Sequence, residues 1–198
     1  MTHPRIADLY PEYLTSWHCV IRSMVPIMEA ALGRARAIAD MDPLTSYLES
    51  HIDEERGHDE WVLEDLDVLG IDRSRVLSRV PSPTVASLAG SQYYWILHYH
   101  PVALLGYLAL AEGYPPTPRL VQRLRDTTGY PAEAFRTLNE HSELDHHHGE
   151  EVDQLIDSLP LTRDLEEVMG LSAMSSVGLM ARCIEEILET VPAEDTQR

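Results

Sequence analysis

Apolar residues recur along most of this chain at intervals of three and four, the period of an α-helix. Trp17, Val20, Ile21, Met24, Ile27, Met28 and Leu32 form one such stripe. It predicts a first helix from about Pro11 to Asp40, kinked at Pro26, which has no N–H to donate. Met41-Asp42-Pro43 reads as a turn. A second helix then runs to about Leu69, and Gly70 closes it. Residues 71–82 read as a connection. A third helix starts at Ser82, an N-cap, with Pro83 in its first position. It passes Tyr93 and His98, bends at Pro101 and continues through the apolar run 102–111 to Glu112. A helix that is apolar all round belongs in the interior. After a proline-rich break at 114–118 come a short amphipathic helix, Arg119 to Thr127, and a longer segment from Pro131 to Pro160. The last helix, about Arg163 to Thr190, offers Val168, Met169, Leu171, Met174, Val177, Met180 and Ile184 as a core face. From Pro192 the tail is polar and reads as frayed. No strand pattern competes. The prediction is an all-α bundle of five to seven helices, one domain spanning 1–198.

Composition narrows the function classes. The chain has 198 residues, 44 % of them hydrophobic, enough for one sizeable core. Its net charge of −18 and the lack of a basic stripe make nucleic acid and anionic membranes poor partners. Cys19 and Cys183 both fall inside helical patterns, so neither a disulfide framework nor a zinc finger is indicated. The opening residues lack an apolar signal core, and no uncharged apolar run reaches the roughly 18 residues that span a bilayer. The chain reads as soluble and cytoplasmic. Glycine-rich phosphate loops, Gly-x-Ser-x-Gly and Cys-x-x-Cys are all absent.

Candidate chemistry sits in three places. His141, Asp145 and His148 fall within roughly 60° of one another on one helix face. Two imidazoles and a carboxylate on one face are ligands for a borderline transition metal. In the second helix Glu55 and His58 have the ExxH spacing of helical di-iron carboxylate sites. His51 lies on the same face, so His51, Glu55 and His58 repeat the spacing of His141, Asp145 and His148. Glu112 closes an apolar run, and a buried carboxylate must be paired, hydrogen-bonded or metal-bound. Three carboxylates and three imidazoles suit iron or manganese better than structural zinc. Arg22 and Arg182 each interrupt an apolar stretch. They are candidate anchors for an anionic substrate group, or partners of nearby carboxylates. His18 reads as a structural helix histidine. His98 and His100 read as core or supporting groups. Asp53, Glu54, Asp59 and Glu60 read as a solvated face.

The ExxH at Glu55 and His58, the lone Glu112 and the HxxxDxxH at His141, Asp145 and His148 occur in an order that resembles the haem-oxygenase-like di-iron oxidases. That family is known simply as iron-containing redox enzymes. The resemblance covers roughly residues 10–190. It implies a haem-oxygenase-like bundle of about seven helices that holds two iron ions without haem. The six residues named would be the ligands, O2 the co-substrate and a small biosynthetic molecule the substrate. Amino acids, amines and fatty acids are the substrate classes it implies. Their reactions are N-oxygenation, desaturation, C–C cleavage and decarboxylation. His51 is additional to the six-ligand pattern, as an extra ligand or as a hydrogen-bond partner of a ligand. An external electron donor and a homodimer fit the same class. Two alternatives stand beside it: a haem oxygenase with His18 as axial ligand, and a non-enzymatic bundle that stores iron or uses it structurally.

Overall fold

Prolines and glycines set the breaks in this bundle, and the breaks place its polar residues. The computed structural model describes residues 3–191, with the backbone but not the side chains of 144–147. α1 (Ile6–Ile21) and α2 (Met24–Ala35) replace the single first helix expected. The turn between them falls at Arg22 and Ser23, upstream of Pro26. Pro26 cannot donate to the Arg22 carbonyl four residues back, and its ring crowds that carbonyl. α1 also starts before Pro11, which therefore lies inside it. The Ala7 carbonyl that Pro11 leaves without an N–H accepts the Tyr130 hydroxyl instead, at 2.8 Å.

The second expected helix is also two: α3 (Asp42–Glu55) and α4 (His58–Val68). Arg56 turns to an extended conformation and Gly57 takes φ +98°, a region that side chains with a Cβ avoid. A Cβ on Gly57 would meet nothing within 4 Å, so backbone conformation, not a close neighbour, requires the glycine. α5 (Arg73–Leu77) is a short helix inside the stretch read as a connection. α6 (Pro83–His98) starts on Ser82, whose hydroxyl accepts the Val85 N–H at 3.2 Å. The bend at Pro101 is a 3-10 turn, Pro101–Ala103, leading into α7 (Leu104–Glu112). α8 (Pro118–Thr128) ends on Gly129 at φ +70°. A second 3-10 turn, Ala132–Phe135, precedes α9 (Arg136–Ser158). α10 (Arg163–Thr190) closes the bundle. With each broken helix counted once, the described residues form α1–α2, α3–α4, α5, α6–α7, α8, α9 and α10, and no strand.

One buried cluster joins α2, α3, α6, α7 and α9, with Ile27, Leu48, Ile96, Leu104 and Val152 among its members. A smaller one packs Tyr10, Leu14, Leu63, Val121 and Phe135. Asp65 of α4 is wholly buried and accepts the N–H groups of Arg136 and Thr137, at 2.9 and 3.0 Å. These are donors that the first turn of α9 cannot satisfy itself. α4 thereby fixes where α9 begins.

α10 does not bury the face its apolar pattern offered. Leu171, Met174, Val177 and Ile184 are exposed, while Ser172, Ser176 and Cys183 are buried. The reason is close approach. A Cβ on Gly106 of α7 would stand 2.1 Å from the Met169 carbonyl oxygen of α10. So tight a contact favours small side chains on the buried face. Ser172 and Ser176 fit, and both hydrogen-bond Gln92 of α6, at 3.2 and 3.1 Å. Val168 is buried as expected.

Candidate metal centre

Helix ends supply half of the polar cluster. Glu55 is the last residue of α3, His58 the first of α4 and Glu112 the last of α7. His51 lies one turn before Glu55, and His141 and His148 lie two turns apart on α9. His51, Glu55, His58, Glu112 and His148 are buried, and His141 is half-buried. The ExxH pair is not carried by a continuous helix. The break at Arg56 and Gly57 separates its two residues, and His58 Nδ1 stands 3.1 Å from Glu55 Oε1.

The cluster has two halves that share Glu55. In one, ligand atoms of Glu55, His58 and His141 lie within 4.8 Å of one another. In the other, those of His51, Glu55 and His148 do so. Glu112 belongs to the second half: its Oε1 is 3.0 Å from His51 Nε2 and its Oε2 4.0 Å from His148 Nδ1. Gly149 explains how α9 comes so near. A Cβ there would lie 3.3 Å from Gly113 Cα and 3.5 Å from the Glu112 carbonyl oxygen. His141 Nδ1 lies 2.8 Å from the Thr137 carbonyl oxygen, the distance of an N–H donated to it, which would leave Nε2 as the nitrogen lone pair.

Charge and burial oppose each other here. Burial lowers the pKa of His51, but its hydrogen bond to Glu112 and the charges of Glu112, Glu55 and Glu54 outweigh burial and raise it. Burial would raise Glu55, yet the hydrogen bond from His58 and the nearby histidines hold it below its ordinary value. His141 is lowered, by burial above all.

A cavity of about 580 Å³ reaches this cluster at Glu55, Glu112 and His141. Its walls are otherwise mostly apolar, with Trp17, Val20, Leu110, Leu120, Leu138 and Met180 among them. Tyr114, 80 % exposed, lines the same cavity, so the space opens to solvent beside the segment that follows α7.

A family model described as iron-containing redox enzyme matches residues 12–176. The chain belongs to that family. Among solved structures it resembles a domain of unknown function with a haem-oxygenase-like fold from Shewanella denitrificans. The TM-score is 0.83 at 23 % identity, over 97 % of this chain and 84 % of that one. It also resembles a TenA homologue from Pseudomonas syringae pv. tomato, with a TM-score of 0.73 at 12 % identity over 92 % and 80 % of the two chains. The first likeness establishes the haem-oxygenase-like fold. No curated protein is similar enough to the chain to count as a match.

The cluster suits the family's metal. Glu112 Oε2 is buried without a hydrogen-bond partner among the described residues. A bound cation would satisfy it. Imidazoles and carboxylates without thiolate are the donors that iron accepts. Of the residues read from the sequence, Glu55, His58, Glu112, His141 and His148 converge here, while the Asp145 side chain lies outside the described residues. His51, set apart as an addition to the pattern, stands among them.

The remaining candidates lie elsewhere. Arg182 is half-exposed and pairs with Glu185 at 3.1 Å on the surface of α10. Arg22 is half-buried at the α1–α2 break. Neither lines the cavity. His18 is wholly buried and does not line it either. His98 is exposed, and His100 Nδ1 accepts the Val102 N–H at 3.2 Å as a cap. Glu54, read as solvated, stands 3.3 Å from His148 Nε2. Its spacing of three from His51 was the signal that could have singled it out. No described helix is long and apolar enough to cross a membrane.

Proposed function

We propose that this chain is a non-haem di-iron oxidase or oxygenase that uses O2 to oxidise a small biosynthetic substrate with an apolar body. One observation carries the reading: two histidine–carboxylate groups share Glu55 and meet an apolar cavity. Carboxylates contributed by several helices are the means by which bundles hold paired metals. Glu55, His58 and His141 would hold one iron, and His148 and Glu112, with Glu55 between, the other. Asp145 joins them by its place in the HxxxDxxH pattern. Bound iron supplies the reduction of O2 and the oxidising power.

The chain's own residues bind, orient and exclude water. The apolar wall from Trp17 to Met180 removes substrate surface from water, worth about 25 cal/mol per Å². Because the polar lining includes Glu55, Glu112 and His141, a substrate's polar end is drawn to the metal side and its apolar body to the α1 and α10 side. The described lining holds no arginine, and the chain contains no lysine. Among fatty acids, amines and amino acids, this wall favours a substrate with a long apolar chain. An external donor supplies electrons where the reaction consumes them.

Anaerobic loading with Fe(II) followed by O2 tests the reading. Two irons per chain and O2 consumption stimulated by apolar-chain acids or amines are expected. Iron retained with no O2 reaction would replace it with storage or a structural role. A Soret band on adding haem would replace it with haem chemistry.

A further inference from the structure

His51 lies in the centre in a way that the six-ligand pattern does not provide for. Its ring is 1 % exposed, with Nε2 directed at Glu112 Oε1. Ligand atoms about 2.1 Å from one ion lie about 3–4 Å apart, and those of His51, Glu55 and His148 lie within 4.8 Å of one another. The ring is also held in place. Tyr47 stacks on it with centroids 5.0 Å apart, and the His148 ring meets it edge-on at 4.8 Å.

The nitrogens on the far side tell the same story. Glu54 Oε2 stands 3.3 Å from His148 Nε2 and 3.7 Å from His51 Nδ1. One carboxylate thus faces both imidazoles from outside the cluster, while His51 Nε2 and His148 Nδ1 face Glu112 on the inside. Metal-bound histidines characteristically offer their other ring nitrogen to a carboxylate, which fixes tautomer and ring orientation.

Resting on the di-iron reading, we infer that His51 is a direct ligand of the second metal position through Nε2, and that Glu54 is the positioning residue for both His51 and His148. The second position then has two imidazoles and two carboxylates from described residues alone: His51, His148, Glu55 and Glu112. The first has Glu55, His58 and His141. The extra imidazole gives the second position more donors than the first among the described residues. Glu54 acts only through the two rings, so its loss weakens one position and leaves the other as it was.

Metal titration of the folded protein tests this without any turnover. Wild type, His51→Ala, His51→Gln, Glu54→Gln and His141→Ala are loaded anaerobically with Co(II). Metal per chain, affinity and the visible absorption of bound Co(II) are then read, with helicity checked by circular dichroism. Wild type is expected to take up two ions. His51→Ala and His51→Gln should lose at least tenfold in affinity for one ion and keep the other with its spectrum unchanged. Glu54→Gln should weaken that same ion about tenfold, the lower end of the range for outer partners of metal ligands. His141→Ala should lose the complementary ion, and its remaining spectrum should be the one that His51→Ala lacks. Two ions of wild-type affinity and spectrum in a folded His51 variant would overturn the ligand assignment and leave the di-iron reading standing. A wild type that binds fewer than two would overturn both. Glu54→Gln weakening both ions equally would overturn its role as positioning residue.

Discussion

His18 of α1 and His51 of α3 are removed from solvent to the same degree, 0 % and 1 % exposed. Both sit in helices, and both are single histidines in their turn of sequence. Their proton affinities move in opposite directions. Burial lowers the pKa of His18, with Arg22 adding to it and Asp59 and Glu60 only partly offsetting it. His51 suffers the same burial, yet Glu112, Glu55 and Glu54 raise it above its ordinary value. Neither ring nitrogen of His18 has a hydrogen-bond partner among the described residues. The difference teaches that burial alone does not set a histidine's proton affinity; the carboxylates it faces do. His18 fills space in the core, and His51 stands in the centre.

The largest effect should come from removing histidines on the carboxylate side. His58→Ala and His141→Ala each delete an imidazole from the group that holds Glu55. Each should lower O2-dependent turnover at least about 100-fold, in line with the loss of a group essential to the reacting centre. Helicity should survive, because neither change removes a large apolar side chain. His18→Leu should leave iron content and turnover at the wild-type level. Full turnover with iron bound in His58→Ala, or iron loss in His18→Leu, would break the comparison.

A carboxylate can also be buried without any histidine, and Asp65 is that case. It is 0 % exposed and accepts two N–H groups at the start of α9. Asp65→Ala leaves both donors without their acceptor, the Thr137 N–H in a buried position and the Arg136 N–H in a partly buried one, at a cost of about 1–3 kcal/mol each. Chemical denaturation should therefore show a loss of at least about 2 kcal/mol, with iron affinity falling as α9 loosens. Unchanged stability would mean that water replaces the carboxylate and that α4 does not set the start of α9.

Gly57 sets how the two ligand-bearing halves of its helix meet. At φ +98°, an alanine is strained whatever the space around it. Gly57→Ala should cost about 1–2 kcal/mol by the penalty for a left-handed residue with a Cβ. It should also shift the Co(II) spectrum of the half that contains His58. A stability loss with an unchanged spectrum would separate the break from the site.

Much of this could be read along the chain. Apolar spacing gives the helices, Ser82 and Gly129 sit at their ends, and ExxH, Glu112 and HxxxDxxH appear in order. What stayed hidden depends on how helices cross. α10 shows it best: its large apolar residues, Leu171 and Met174, are exposed because Gly106 brings α7 against its backbone. That contact lies in another helix, and its mark in α10 is the small residues Ser172 and Ser176, which an apolar pattern passes over. The break after Glu55 was hidden for another reason. Gly57 is compatible with a helix interior at a cost of about 1 kcal/mol, so nothing local forces the left-handed turn. The meeting of His51 with Glu112, 61 positions apart, required the fold itself.

The smallest effect is the one that tests His18 directly. Its pKa in the folded chain lies below the ordinary 6.5 that the unfolded chain retains. Between those two values the unfolded state binds more protons, so stability rises with pH across the window. The contribution is fully present above about 6.5 and is lost as pH falls through the folded value. The charges that act on this ring are Arg22, Asp59, Glu60 and Arg73, and none of them becomes a hydrogen-bond partner. His18→Leu puts an apolar side chain of similar reach in its place and removes the proton site. Melting temperatures of metal-free wild type and His18→Leu, taken from pH 7.5 down to 5, should therefore diverge below about 6.5, with the variant falling less steeply. Parallel curves would mean that His18 finds a partner when protonated, and the contrast with His51 would then rest on geometry alone.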